Sequence, residues 1–116
     1  MSTFGSILLV DDDHIANHLH EQLITRHNLA SKIFIESNGK DAYALIENRY
    51  RSGKSLPSLI ILDIDMPVQN GFDFLDNLLA SDLLAVKNIP LAILTNSSHP
   101  DDMEKVKQRG NFVYVT

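Results

Sequence analysis

The chain of 116 residues contains no cysteine. That excludes a disulfide framework and any thiolate metal site, and it is compatible with a reducing cytoplasm. Lysine and arginine form no cluster, and 10 basic residues stand against 15 acidic ones for a net charge of −5. Neutralising nucleic-acid phosphates needs a basic footprint, so this balance argues against direct nucleic-acid binding. No apolar run approaches the roughly 18 residues of a membrane span. The opening MSTFGSILLV lacks the positive charge that begins a signal peptide. Internal repeats and low-complexity tracts are also missing. What remains is a chain 44% hydrophobic and 22% charged, near the commonest domain size and able to bury a core without cross-links. The expectation is one soluble, cytoplasmic domain over residues 1–116, with no membrane partner.

Short apolar runs alternate with amphipathic ones. SILLV (6–10) reads as a buried strand running into Asp11, Asp12 and Asp13. The next segment places Ile15, Leu19 and Leu23 on one helical face, the predicted core stripe, with Asp13 as a candidate cap. SKIFIES (31–37) alternates as a strand, and Asn38-Gly39 opens a helix carrying Ala42, Leu45 and Ile46 that stops in RYRSGKS (49–55). SLIILD (58–63) is the most continuously apolar run, which predicts the centre of a sheet. Phe72, Leu75, Leu78 and Leu79 mark a third helix. PLAILT (90–95) and FVYVT (112–116) read as further strands around a short charged helix, HPDDMEKVKQRG (99–110). This alternation implies βαβ units and a parallel α/β sheet with right-handed crossovers. Ligands bind such sheets at the carboxyl ends of the strands. The acids after the first and third strands, and Thr95 after the fourth, then share one rim.

The rim has a chemistry of its own. Asp11, Asp12 and Asp63 would bring three like charges together, which is costly unless a cation intervenes. Oxygen-only ligands favour Mg²⁺, which keeps several waters and takes few carboxylates plus a phosphate. A carboxylate beside such a metal can attack phosphorus and form an aspartyl phosphate, and the Thr95 hydroxyl could hydrogen-bond a phosphoryl oxygen. Strand-end acids also serve as turn and cap residues, and Asp13 alone is read that way. His14 and His18, four apart, could share a metal, but solvent exposure is the reading preferred for them. His20, His27 and His99 have no paired ligand spacing.

LLVDDD, then LIILDIDMPVQNGFDFL, then LAILTNS resembles the receiver domain of two-component response regulators, in the right order over nearly the whole chain. The resemblance implies a flavodoxin-like, doubly wound five-stranded parallel sheet of order 2-1-3-4-5. It implies a signalling module rather than an enzyme, taking a phosphoryl group from a sensor histidine kinase or phosphotransfer protein, with Mg²⁺, and passing its state to an unknown downstream protein. By position it makes Asp63 the phosphoacceptor. Asp11 and Asp12 become the acidic pair that organises the metal, and Asp65 the residue whose backbone carbonyl completes the metal site. Met66-Pro67 and Gly71 match the loop after the phosphoacceptor. Thr95 becomes the switch hydroxyl and Tyr114 the switch aromatic, although Tyr114 reads equally well as an ordinary strand residue. Met103, Val106 and Tyr114 become candidates for a contact patch.

The chain also departs from the family pattern. Asn96 stands where a small residue is common, and Asp65 and Ser97 occupy variable positions that tune phosphoryl loss. The family has a Lys, commonly followed by Pro, after the fifth strand and then a last helix, whereas this sequence reaches Thr116 about where that Lys would follow. The expectation is therefore a C-terminally truncated receiver, lacking the last helix, with weakened phosphorylation and an exposed apolar side prone to self-association. Two other readings stand beside it. One is a receiver-like interaction module that is no longer phosphorylated. The other is a haloacid-dehalogenase-type phosphatase, against which the acid cluster comes early and Pro67 replaces a hydroxyl-rich region.

Overall fold

The computed structural model describes residues 4–63, 71–81, 86, 88–94 and 113–115. In chain order these form β1 (Phe4–Val10), α1 (His14–Arg26), β2 (Ala30–Glu36), α2 (Gly39–Arg51), β3 (Leu59–Asp63), α3 (Gly71–Leu79), β4 (Leu91–Leu94) and β5 (Val113–Val115). The strands make one sheet of order β2-β1-β3-β4-β5, parallel throughout. That is the flavodoxin-like order, with β3 in the middle as its apolar run predicted. The charged helix expected over 99–110 lies outside the described residues. Among those described, no helix is long and apolar enough to cross a membrane.

Side chains alternate across a strand, so the sheet divides its apolar residues between two faces. On one, Leu8, Val10, Ile60, Leu62, Leu91 and Ile93 pack with Ala42 and Ile46 of α2 and Phe74, Leu75 and Leu78 of α3. On the other, the buried set is Ile7 and Leu9 of β1 with Ile24 of α1, flanked by half-buried Leu59 and Ile61. At the sheet edge Lys32 and Arg49 lie over the Phe34 ring, 5.0 and 4.6 Å from its centroid, cation–π contacts that also shield the ring from water.

The helix starts follow local chemistry. Asp13 Oδ1 accepts the backbone N–H of Ile15 at 2.9 Å and of Ala16 at 3.2 Å, the expected cap of α1. Asn38 Oδ1 accepts the Asp41 N–H at 2.8 Å and starts α2 in the same way. Gly53 follows α2 with φ +71°, where a side chain would be strained, and its N–H donates to the Tyr50 carbonyl. Asn28 takes a similar left-handed turn after α1, at φ 52°, a conformation that asparagine tolerates better than most residues.

One expected stripe is corrected. Ile15, Leu19 and Leu23 are exposed, at 74%, 53% and 49%, and α1 instead buries Asn17 and Ile24. At 3.6 residues per turn those two sit about half a turn from Ile15. In this orientation the Asn17 amide donates to the Asp11 carbonyl at 2.8 Å and Ile24 packs on Ile7 and Leu9, contacts that need this side of α1 to face the sheet. In α3 Leu75 and Leu78 of the residues that marked the helix are buried, Phe74 is fully buried beside them, and Leu79 lies exposed at the helix end.

Candidate functional site

Parallel register brings the acids together. Val10 of β1 lies opposite Leu62 of β3, so the residues that follow, Asp11 and Asp63, leave adjacent strands side by side. Asp12 is next along the chain. One carboxylate oxygen from each of Asp11, Asp12 and Asp63 lies within 4.8 Å of the other two. All three residues are partly buried. At an effective dielectric of about 20, each pair of unit charges at that spacing repels by about 3 kcal/mol. A cation sharing the site would relieve that repulsion.

Asp11 carries the signature of that conflict. Burial pushes its carboxyl above the usual carboxylate range; the Asp13 backbone N–H and a side-chain hydrogen bond to Asp63 pull it back, and the charges of Asp12 and Asp13 raise it again. The Asp13 N–H donates to Asp11 Oδ1 at 2.9 Å, closing a tight polar turn. The Asp11 N–H donates to the Glu36 carbonyl of β2 at 3.1 Å. The strand end is therefore held from both sides while its carboxylate faces the cluster.

The donor set suits a hard divalent cation, because every side-chain ligand is a carboxylate oxygen and no histidine among the described residues joins the group. His14 and His18 are exposed on α1 and do not enter the cluster. Asp13 caps its helix, as expected. Asp65, Met66, Pro67, Thr95, Met103 and Val106 lie outside the described residues. The backbone of Tyr114 pairs with Ile93 across β4 and β5, and its side chain lies outside the described residues.

Of two further residues near the acids, Asn17 was passed over from sequence and His20 was set aside for want of a paired ligand spacing. Asn17 and His20 line a small pocket with Asp11 and Asp63. Their spacing of three on a helix was the available signal, hidden by the stronger apolar stripe of Ile15, Leu19 and Leu23.

Comparisons with known proteins agree with the fold. The chain is 32% identical over 108 residues to response regulator Rcp1 of Synechocystis, covering 84% of this chain and 65% of that one. It is 29% identical over 99 residues to the probable methanogenesis regulatory protein FilR2 of Methanothrix harundinacea, covering 85% of this chain and 63% of that one. It thus spans less than two thirds of the length of either curated relative. Among solved structures, the phosphorylated cyanobacterial phytochrome response regulator RcpA superposes with a TM-score of 0.84 at 23% identity, over 97% of this chain and 79% of that one. The Mn²⁺-bound form of Rcp1 superposes with a TM-score of 0.81 at 24% identity, over 97% of this chain and 80% of that one. At those identities the structural likeness is one of fold. Residues 7–116 match the response regulator receiver domain, and with the sheet order and the acid-lined rim in agreement, the chain belongs to that family.

Proposed function

We propose that this receiver domain is a working phosphoacceptor in which Asp63 takes a phosphoryl group from the phosphohistidine of a sensor histidine kinase or phosphotransfer protein. The convergence of Asp11, Asp12 and Asp63 within 4.8 Å at two adjacent strand ends carries this reading. The proposed metal is Mg²⁺, held by Asp11, Asp12 and Asp63 with the backbone carbonyl of Asp65. When bound it supplies the positive charge that lets three carboxylates and a phosphoryl group share one rim.

In the proposed step an Asp63 carboxylate oxygen attacks phosphorus. A P–O bond forms as the P–N bond to the imidazole breaks, and the departing ring nitrogen takes up a proton. Asp11 and Asp12 keep the site oriented, Asp11 fastened through its backbone to β2 and α1. Thr95 donates its hydroxyl to a phosphoryl oxygen, and Tyr114 is the aromatic that responds. The output is a shift between two conformations, for which a few kcal/mol of differential stabilisation suffices. The proposed setting is the cytoplasm, with a protein rather than nucleic acid as the downstream partner.

The test is amide NMR during Mg²⁺ addition and then beryllofluoride, a phosphoryl analogue, on wild type and Asp63→Ala. Shifts at Asp11, Asp12, Asp63 and Thr95 that disappear in the variant are expected. Mg²⁺ shifts without a beryllofluoride response would remove the phosphoacceptor role, and sustained turnover of p-nitrophenyl phosphate would move the reading to a hydrolase.

A further inference from the structure

Beneath the acid cluster, on the α1 side of the sheet, one polar atom has no partner. Asn17 is 3% exposed, and its Nδ2 donates to the Asp11 carbonyl at 2.8 Å. That bond sets the orientation of the amide, because a carbonyl can only accept. Oδ1 is therefore turned away from Asp11's backbone, and this buried acceptor has no hydrogen-bond partner among the described residues. Buried amide oxygens are rarely left so.

The same residue lines a cavity of about 10 Å³ with Asp11, His20 and Asp63, whose apolar walls include Leu9 and Ile61. That is room for the centre of one water, and a buried water needs two to four polar partners. The residues that line it carry suitable groups: the Asn17 amide oxygen and the Asp11 and Asp63 carboxylates can accept, and a ring N–H of His20 can donate. A hydrated cation is a poorer occupant, since Mg²⁺ keeps several waters and a space of about 10 Å³ has no room for them.

We propose that Asn17 is a positioning residue for the acid cluster, and that one buried water joins its Oδ1 to His20 and to the carboxylate of Asp11 or Asp63. The water donates one hydrogen to Asn17 Oδ1 and the other to a carboxylate, and accepts from His20. Through this bridge and the direct bond to the Asp11 backbone, α1 holds the metal-binding acids in place from below. The inference rests on the metal-site reading given above, and it adds a layer that touches neither the metal nor the phosphoryl group.

The experiment uses Mn²⁺ as the probe, with free ion followed by electron paramagnetic resonance during titration of wild type and Asn17→Leu. Leucine keeps the volume and removes both polar bonds, leaving the Asp11 carbonyl without its donor, so thermal unfolding is measured first to establish that the variant is folded. Mn²⁺ affinity should fall about tenfold, the scale at which outer partners of metal ligands act. Unchanged affinity in a folded Asn17→Leu overturns the positioning role, since a purely structural amide would leave binding untouched. A second measurement needs no variant. A cross-peak between a long-lived water and the Asn17 side-chain amide protons is expected in wild type, and its absence overturns the bridge. If wild type itself fails to bind Mn²⁺, the metal-site reading falls and takes the positioning role with it, while the cross-peak still decides the water.

Discussion

The two faces of the sheet are built on different principles. The face covered by α2 and α3 joins twelve buried residues into one cluster, Phe74 and Leu75 among them. Among the described residues, the face covered by α1 has three, Ile7, Leu9 and Ile24, with only half-buried apolar side chains around them. What the second face lacks in apolar contact it replaces with directed polar bonds: Asp13 capping α1, Asn17 holding the Asp11 carbonyl, and the Asp13 N–H closing on Asp11 Oδ1. Apolar burial is non-directional and scales with area, whereas hydrogen bonds fix position. The site acids sit at the end of the strands between these two faces, anchored below by bulk and oriented by α1. A receiver that must hold three carboxylates in register has reason to fasten that side with bonds that specify geometry.

Like-for-like deletions sharpen the contrast most. Ile46→Ala, in the large cluster, should cost about 4 kcal/mol in urea unfolding, and Ile24→Ala, in the small one, about 2 kcal/mol, because a cavity in a thin layer can collapse or hydrate. Equal costs would erase the distinction between the faces. Asp13→Ala should remove about 1 kcal/mol by freeing the Ile15 and Ala16 N–H groups, with loss of exchange protection in the first turn of α1; full protection would show that the cap does not hold the helix. Leu19→Gln, on the exposed side of α1, should change stability by no more than about 0.5 kcal/mol. A loss above about 2 kcal/mol would return the Ile15–Leu19–Leu23 stripe to the core.

The smallest effect is expected at Glu36, on the α2 side. Burial, and then the charge of Asp41, raise its carboxyl above the ordinary value. An acid whose pKa is raised on folding destabilises the fold above that raised pKa, and the penalty vanishes below the ordinary value. Glu36→Gln should therefore be slightly more stable than wild type at neutral pH, with the gap closing in acid. A gap that opens in acid would reverse the sign.

Most of the architecture was legible in the order of the residues. β1 and β3 are apolar enough to be placed without ambiguity, Asp13 and Asn38 announce their helices, and an acid directly after each of two parallel strands must come to the same rim. These features are local, or follow from the geometry of any parallel sheet. The rotation of α1 was not legible. Periodicity marked Ile15, Leu19 and Leu23, the larger apolar stripe, and a helix in isolation gives no reason to bury an asparagine and a single isoleucine instead. Only the packed structure supplies it: the Asp11 carbonyl at the end of β1 needs a donor, and Asn17 is where α1 can provide one. The sequence by itself determined the strands, the caps and the acids, because each depends on neighbours in the chain. The tertiary structure decided which side of α1 meets the sheet and which residues stand behind the acids, because that depends on what the sheet offers the helix: the Asp11 carbonyl as an acceptor for Asn17, and Ile7 and Leu9 as apolar partners for Ile24.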